Sequence, residues 1–75
     1  MSRTFTAYIE YDPQSGMYVG TVPGLGGGHS QGKSLDELQQ NLTEVIELIL
    51  EDRESRGESV DVEPFVGIQQ ITVEK

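Results

Sequence analysis

The first part of the chain alternates apolar and polar residues in the manner of two strands. Alternation over residues 4–11 has the two-residue period of a strand with one buried face, and Met17 to Val22 repeat it. Residues 12–16 separate the two stretches and have turn chemistry, because Asp12 can accept hydrogen bonds from nearby amides and Gly16 tolerates a left-handed backbone. The pattern predicts a β-hairpin.

A helical period replaces the strand period in the middle of the chain. Residues 28–32 are polar and glycine-containing, which predicts a short third strand at an edge of the sheet. A helix is predicted over residues 35–56 and should end before Gly57, a favoured C-terminal cap. At its start, Ser34 and Glu37 have the capping-box spacing, in which Glu37 reaches back to the Ser34 amide. The apolar stripe of this helix consists of Leu35, Leu38, Leu42, Val45, Ile46 and Ile49.

The C-terminal part predicts a polar linker over residues 58–64 and a last strand over residues 66–74. The expected fold is α+β with the order β-β-β-α-β, in a single domain spanning residues 1–75. Its last connection should be a right-handed crossover that packs the helix on one face of a single sheet. The residues expected to be mostly buried are Phe5, Ala7, Ile9, Val19, Leu35, Leu38, Leu42, Val45, Ile46, Ile49 and Ile71.

Charge and size narrow the class of protein. The chain has 75 residues and a formal net charge of −8, from 13 acidic and 5 basic residues. Such a surface repels phosphate backbones, so a basic protein partner is favoured over direct nucleic-acid binding. The absence of cysteine excludes a disulfide scaffold and fits a reducing compartment. Without a signal peptide or an apolar run of about 20 residues, a cytoplasmic location is expected. So small a core favours a homo-oligomer, a dimer or larger.

One segment matches a nucleotide-binding motif. Residues 27–34, Gly-Gly-His-Ser-Gln-Gly-Lys-Ser, satisfy the phosphate-loop pattern G-x-x-x-x-G-K-[ST]. That motif requires a buried parallel strand before the loop, whereas Met17 to Val22 read as half of a hairpin. Ser34 is also accounted for as a helix cap. The context therefore weighs against nucleotide binding.

Other candidate chemistry is equally sparse. His29 lacks the converging partners that a catalytic or metal site requires. Four carboxylates could in principle hold the metals of a remnant nuclease, but no spacing singles them out. These are Glu10, Asp12, Glu37 and Glu74. We therefore predict no catalytic residue, no cofactor and no metal, in a protein that is not an enzyme.

A combination of segments in residues 4–50 resembles the HicB-like antitoxin domain. The resemblance rests on Tyr8–Asp12, Gly16–Leu25, His29–Gly32 and Ser34–Leu38, together with Asn41, Leu42 and Glu44. It implies a partial ribonuclease-H-like sheet with one helix. It also implies a partner: a small, basic HicA-like toxin that cleaves mRNA and whose active surface the antitoxin covers. Family members often carry a DNA-binding module, and we expect none within residues 1–75.

Three functions remain open, and they use different residues. The first is an antitoxin-like module, with Tyr8, Tyr18 and Leu25 as exposed anchors. In that reading Glu44, Glu47 and Glu51, with the acidic segment 51–63, steer the partner, and Leu48 is a further contact. The second is a stand-alone homo-oligomeric regulatory or adaptor domain without a toxin. The third is a remnant nuclease or nucleotide-binding protein.

Overall fold

The computed structural model describes residues 3–60 and 65–75. Its elements are β1 (Tyr8–Asp12), β2 (Met17–Thr21), β3 (His29–Gly32) and α1 (Leu35–Ser55). The strands form an antiparallel sheet in the order β1-β2-β3, so β1 and β3 are its edges. The predicted α+β class, the hairpin, the polar edge strand and the long helix are confirmed. The first strand, predicted over residues 4–11, begins only at Tyr8.

Local turn chemistry closes the hairpin as predicted. The Asp12 carboxylate accepts from the Gln14 amide at 3.1 Å and from the Ser15 hydroxyl at 2.9 Å. Gly16 has a φ of 71°, and its amide donates to the Asp12 carbonyl at 2.8 Å. A residue with a side chain rarely adopts this left-handed backbone, so the glycine is required by the turn.

The start of α1 is capped by the predicted pair, with one difference. The Ser34 hydroxyl oxygen accepts from the Glu37 amide at 3.1 Å. The Glu37 carboxylate, however, accepts from the amide of Lys33 at 3.0 Å, one residue before the amide that the capping box predicts. Both hydrogen bonds join the residues between β3 and α1 to the first turn of the helix.

The end of α1 is a Schellman motif. The Glu58 amide donates to the Arg53 carbonyl at 2.9 Å, and the Gly57 amide donates to the Glu54 carbonyl at 3.0 Å. Gly57 adopts the left-handed conformation, with a φ of 70°. The helix therefore ends where the glycine predicts.

Two glycines let α1 pack closely on the sheet. A Cβ added at Gly20 would lie 2.8 Å from Leu42 Cδ1, and one added at Gly32 would lie 2.6 Å from the Leu38 nitrogen. The Asn41 side chain also donates to the Gln31 carbonyl at 2.8 Å. Because Gly20 and Gly32 face the helix, their neighbours in each strand point to the opposite face, which α1 leaves open.

The buried core is smaller than predicted and differs in membership. Leu38 and Leu42 are buried as expected, and a second cluster joins Val22, Leu25 and Val60. Half-buried side chains surround them, among them five of the predicted core: Phe5, Ala7, Val45, Ile46 and Ile49. Val19, also half-buried, lies on the open face of the sheet, because its neighbour Gly20 faces the helix.

Three predictions of burial are wrong. Ile9, Leu35 and Ile71 are 48%, 54% and 71% exposed. Ile9 and Leu35 border an uncovered groove between β1 and α1, so they contact the body of the protein on one side only. Ile71 lies in the C-terminal segment 65–75, all of whose residues are exposed.

The predicted last strand over residues 66–74 is absent. Residues 65–75 have no regular secondary structure, and all of them are exposed. The predicted crossover is therefore not completed within the chain. Of the predicted linker over 58–64, Val60 is buried rather than solvated, while residues 61–64 lie outside the described residues.

Within residues 3–60 and 65–75, no helix has the length and hydrophobicity to span a bilayer.

Candidate interaction surfaces

The outer side of α1 carries a stripe of acidic residues with an exposed leucine beside them. Glu44, Glu47, Leu48 and Glu51 follow the i, i+3, i+4, i+7 spacing that places side chains on one side of a helix. All four are exposed, and Leu48 is 65% exposed. We call these four residues the acidic stripe. The structure thus brings together the predicted steering residues and the predicted leucine contact.

The acidic stripe has no internal counter-charges. In the described part of the chain, the ion pairs are those of Arg56 with Asp52, at 2.8 Å, and with Glu58, at 3.4 Å. Both lie at the C-terminal end of α1, away from Glu44 and Glu47. The negative potential of the stripe is therefore open to an external cation or a basic surface. The predicted steering segment 51–63 is described only as far as residue 60.

The two predicted tyrosine anchors lie on opposite faces of the sheet. Tyr8, 45% exposed, is on the open face, because its neighbour Ile9 pairs with Gly20 and faces the helix side. Tyr18 is half-buried on the helix side. It pairs across the hairpin with Tyr11, with 5.1 Å between the two ring centroids. The two predicted anchors therefore do not belong to one continuous surface.

Sequence reasoning missed Tyr11, which is 56% exposed beside Tyr18. The hairpin register holds the signal that could have found it. A turn over residues 12–16 places Asp12 opposite Met17 and so Tyr11 opposite Tyr18. The aromatic surface at this end of the hairpin consists of both rings.

The prediction that Leu25 is an exposed anchor is wrong, since only 3% of this residue is accessible. The Leu25 amide donates to the Val22 carbonyl at 3.2 Å, and the Leu25 carbonyl accepts from the Gly28 amide at 2.9 Å. Gly24 and Gly27 adopt left-handed backbone conformations, with φ of 83° and 82°, within this double turn. The loop therefore folds the leucine inward against Val22, and Leu25 is a core residue.

A groove of about 830 Å³ runs between the β1 side of the sheet and α1. Its lining is largely apolar and also includes Arg3, Glu47 and Glu54. The main apolar residues that line it are Phe5, Ala7, Ile9, Leu42, Ile46 and Leu50. Sequence reasoning did not find this groove, because its lining comes from separate segments, residues 3–9 and α1, whose packing no single periodic pattern indicates.

The segment that matches the phosphate-loop pattern forms no phosphate-binding loop. Residues 29–32 are the edge strand β3, which is antiparallel to β2. The Gly28 amide donates to the Leu25 carbonyl and the His29 amide donates to the Gly27 carbonyl, both at 2.9 Å. These amides are consequently not arranged around an anion. The Ser34 hydroxyl caps α1, as described above.

The acids that were considered as possible metal ligands do not lie together in the structure. Among residues 3–60 and 65–75, no group of three or more histidines and carboxylates converges on one point. Asp12 holds the hairpin turn, Glu37 holds the start of α1, and Glu74 lies in the exposed C-terminal segment. His29 is exposed at the edge strand, opposite Thr21.

Comparison with known proteins finds relatives of nearly the same length. The chain is 46% identical over 72 residues to a UPF0150 protein of Thermotoga maritima, with 96% of this chain and 92% of the relative covered. It is also 46% identical over 71 residues to a UPF0150 protein of Synechocystis (95% and 96% covered). A UPF0150 protein of Archaeoglobus fulgidus is 44% identical over 69 residues (92% and 93% covered).

No family profile matches the chain, and no solved structure matches it significantly. The three relatives share a family name that specifies no activity. Since 44–46% identity extends over more than nine-tenths of each sequence, the chain belongs to the UPF0150 family.

Proposed function

We propose that this protein is a HicB-like antitoxin module that binds a small, basic, mRNA-cleaving HicA-like toxin and covers its active surface. The observation that carries the proposal is the acidic stripe. Its three carboxylates form no ion pair among the described residues and lie beside the exposed Leu48 on α1. The resemblance of residues 4–50 to HicB-like domains supports the same partner. It also supports a partial ribonuclease-H-like origin for the sheet.

The chemistry of the partner follows from charge. A protein that cleaves RNA must present positive groups to phosphates, and the same groups complement an acidic stripe. The exposed Leu48 beside these carboxylates can enter an apolar depression on the partner, which binding would exclude from water. Tyr8 and the pair of Tyr11 and Tyr18 offer further apolar contacts, on the two faces of the sheet.

The proposal assigns no catalysis to this chain. It is expected to act in the cytoplasm, where a toxin and its mRNA substrates meet. No cofactor is required, because inhibition needs only that the chain occupies the toxin's RNA-binding surface. The alternative, a regulatory or adaptor domain without a toxin, requires no basic partner at all.

Co-purification tests the proposal. The chain is co-expressed with the product of the adjacent reading frame, which the proposal expects to encode a small basic protein, and only this chain carries an affinity tag. Recovery of both proteins in a fixed ratio, lost when Glu44, Glu47 and Glu51 are changed to lysine, supports the antitoxin function. A gene without such a neighbour, or a neighbour that does not co-purify, contradicts it and favours the regulatory alternative.

A further inference from the structure

We propose that two copies of this chain exchange their C-terminal segments, so that residues 65–75 of each copy add a strand to the outer edge of β1 in the other and cover its groove. The inference does not depend on the antitoxin function. It rests on two exposed surfaces of one chain that are both apolar and have compatible lengths.

The first surface is the groove with its strand edge. β1 pairs with β2 on one side, and on the other side no described strand pairs with it. The groove beside it exposes Ile9, Ile46 and Leu50. An unpaired edge next to an apolar groove is a template for another strand, since such a strand would satisfy the backbone and cover the side chains together.

The second surface is the C-terminal segment. Its five large apolar residues are between 53% and 97% exposed: Phe65, Val66, Ile68, Ile71 and Val73. In the last part of the segment, Ile71 and Val73 alternate with Thr72 and Glu74. This is the pattern of a strand that buries one face and leaves the other in water. In the structure of the single chain, the side chains of this apolar face are exposed.

The lengths of the two surfaces are compatible. Residues 65–75 would span about 36 Å as a strand, at roughly 3.3 Å per residue. Residues 3–12, which include β1 and the start of the groove, would span about 33 Å at the same rise. A strand in this position would also run beside α1, whose 21 residues extend for about 32 Å.

The geometry favours a second copy as the occupant. In the monomer the segment stays exposed while the groove stays open, and each chain carries one of each. Two chains related by a twofold axis can therefore satisfy both surfaces twice, without any new sequence feature. The exchange would also enlarge a core whose buried hydrophobic residues within the described chain are Val22, Leu25, Leu38, Leu42 and Val60.

Sedimentation equilibrium provides the first test. The parent should have twice the 8.3 kDa mass of one chain. Replacing Ile71→Asp and Val73→Asp should raise the dimer Kd roughly 100-fold or more, because two buried apolar side chains are lost. The matched control, Gln70→Asp with Thr72→Asp, adds the same charges to the outward face and should remain a dimer. A parent that is monomeric, or a control that dissociates as readily as the variant, overturns the inference.

A second test separates exchange from closure within one chain and needs no variant. Chains with isotope-labelled isoleucine, leucine and valine methyl groups are refolded together with unlabelled chains. Isotope-filtered NMR should then detect contacts from the Ile71 and Val73 methyls of one chain to Ile46 and Leu50 of the other. Contacts found only within one chain, or a dimer without these contacts, would disprove the exchange.

Discussion

Gly32 in β3 lies directly beneath the backbone of Leu38 in α1. A Cβ added to this glycine would be 2.6 Å from the Leu38 nitrogen and 3.0 Å from the Leu38 Cα. Backbone atoms cannot yield as a flexible side chain can, so the whole first part of the helix would have to move. The close approach of β3 and α1 therefore depends on this one glycine.

Gly32→Ala should accordingly lower the free energy of unfolding by about 1–3 kcal/mol, the usual cost of overpacking. Gly26→Ala is the control, because the nearest atom to its added Cβ is 3.8 Å away and belongs to the flexible side chain of Arg53. Urea denaturation followed by circular dichroism measures both. Equal midpoints for Gly32→Ala and the parent would show that the helix does not pack on β3 as described.

The two leucines on opposite sides of α1 should respond differently to truncation. Leu42 is 6% exposed and contacts the sheet, so Leu42→Ala should cost about 2–5 kcal/mol. Leu48 is 65% exposed, so Leu48→Ala should change stability by less than about 0.5 kcal/mol. Thermal melting compares them. Similar losses of stability in both variants would mean that the helix face is assigned wrongly.

Leu25→Ala distinguishes a core residue from a binding anchor. Because Leu25 packs on Val22 and Val60, its truncation should lower stability by about 2–5 kcal/mol. Tyr8→Ala, on the open sheet face, should cost less stability but should weaken binding to a basic partner if Tyr8 is an anchor. Melting and binding measurements on both variants test this. A stable Leu25→Ala variant with weakened partner binding would restore Leu25 as an exposed anchor.

Local signals in the sequence predicted the elements well, but their packing less well. Ser34, Gly16 and Gly57 act on the backbone within a few residues of themselves, so the helix and the hairpin follow from sequence spacing alone. The burial of Leu25 depends on how a glycine-rich loop folds back on the sheet. No periodic sequence pattern indicates this loop conformation. The sequence around a hydrophobic loop residue is the same whether the side chain is buried or exposed.

The C-terminal segment illustrates a different limit. Ile71 and Val73 have strand spacing, and the sequence analysis accordingly predicted a strand over residues 66–74. Alternation of apolar and polar residues indicates that a segment can form a strand, but it does not identify the strand with which that segment pairs. The acidic stripe was predictable because helical spacing fixes which residues share a side. The groove was not, because residues from β1 and from α1 line it together.

The acidic stripe should act mainly on the approach of the partner. Changing Glu44, Glu47 and Glu51 to lysine should slow association with the basic partner roughly tenfold or more at low salt, with a smaller effect on dissociation. The control reverses the charge of three other exposed acids, Glu10, Glu58 and Glu74, and so carries the same net charge. Stopped-flow kinetics at increasing salt measures both. If the association rate falls by the same factor in both triple variants, net charge rather than the acidic stripe controls the encounter.

RNA cleavage tests the antitoxin proposal most directly. The small basic protein of the adjacent reading frame is assayed on a single-stranded RNA, alone and with this chain at equal concentration. The proposal predicts that the chain suppresses cleavage, and that the variant with lysine at positions 44, 47 and 51 suppresses it less at the same concentration. Cleavage that continues unchanged in the presence of the chain, or cleavage of the RNA by the chain alone, would contradict the proposal.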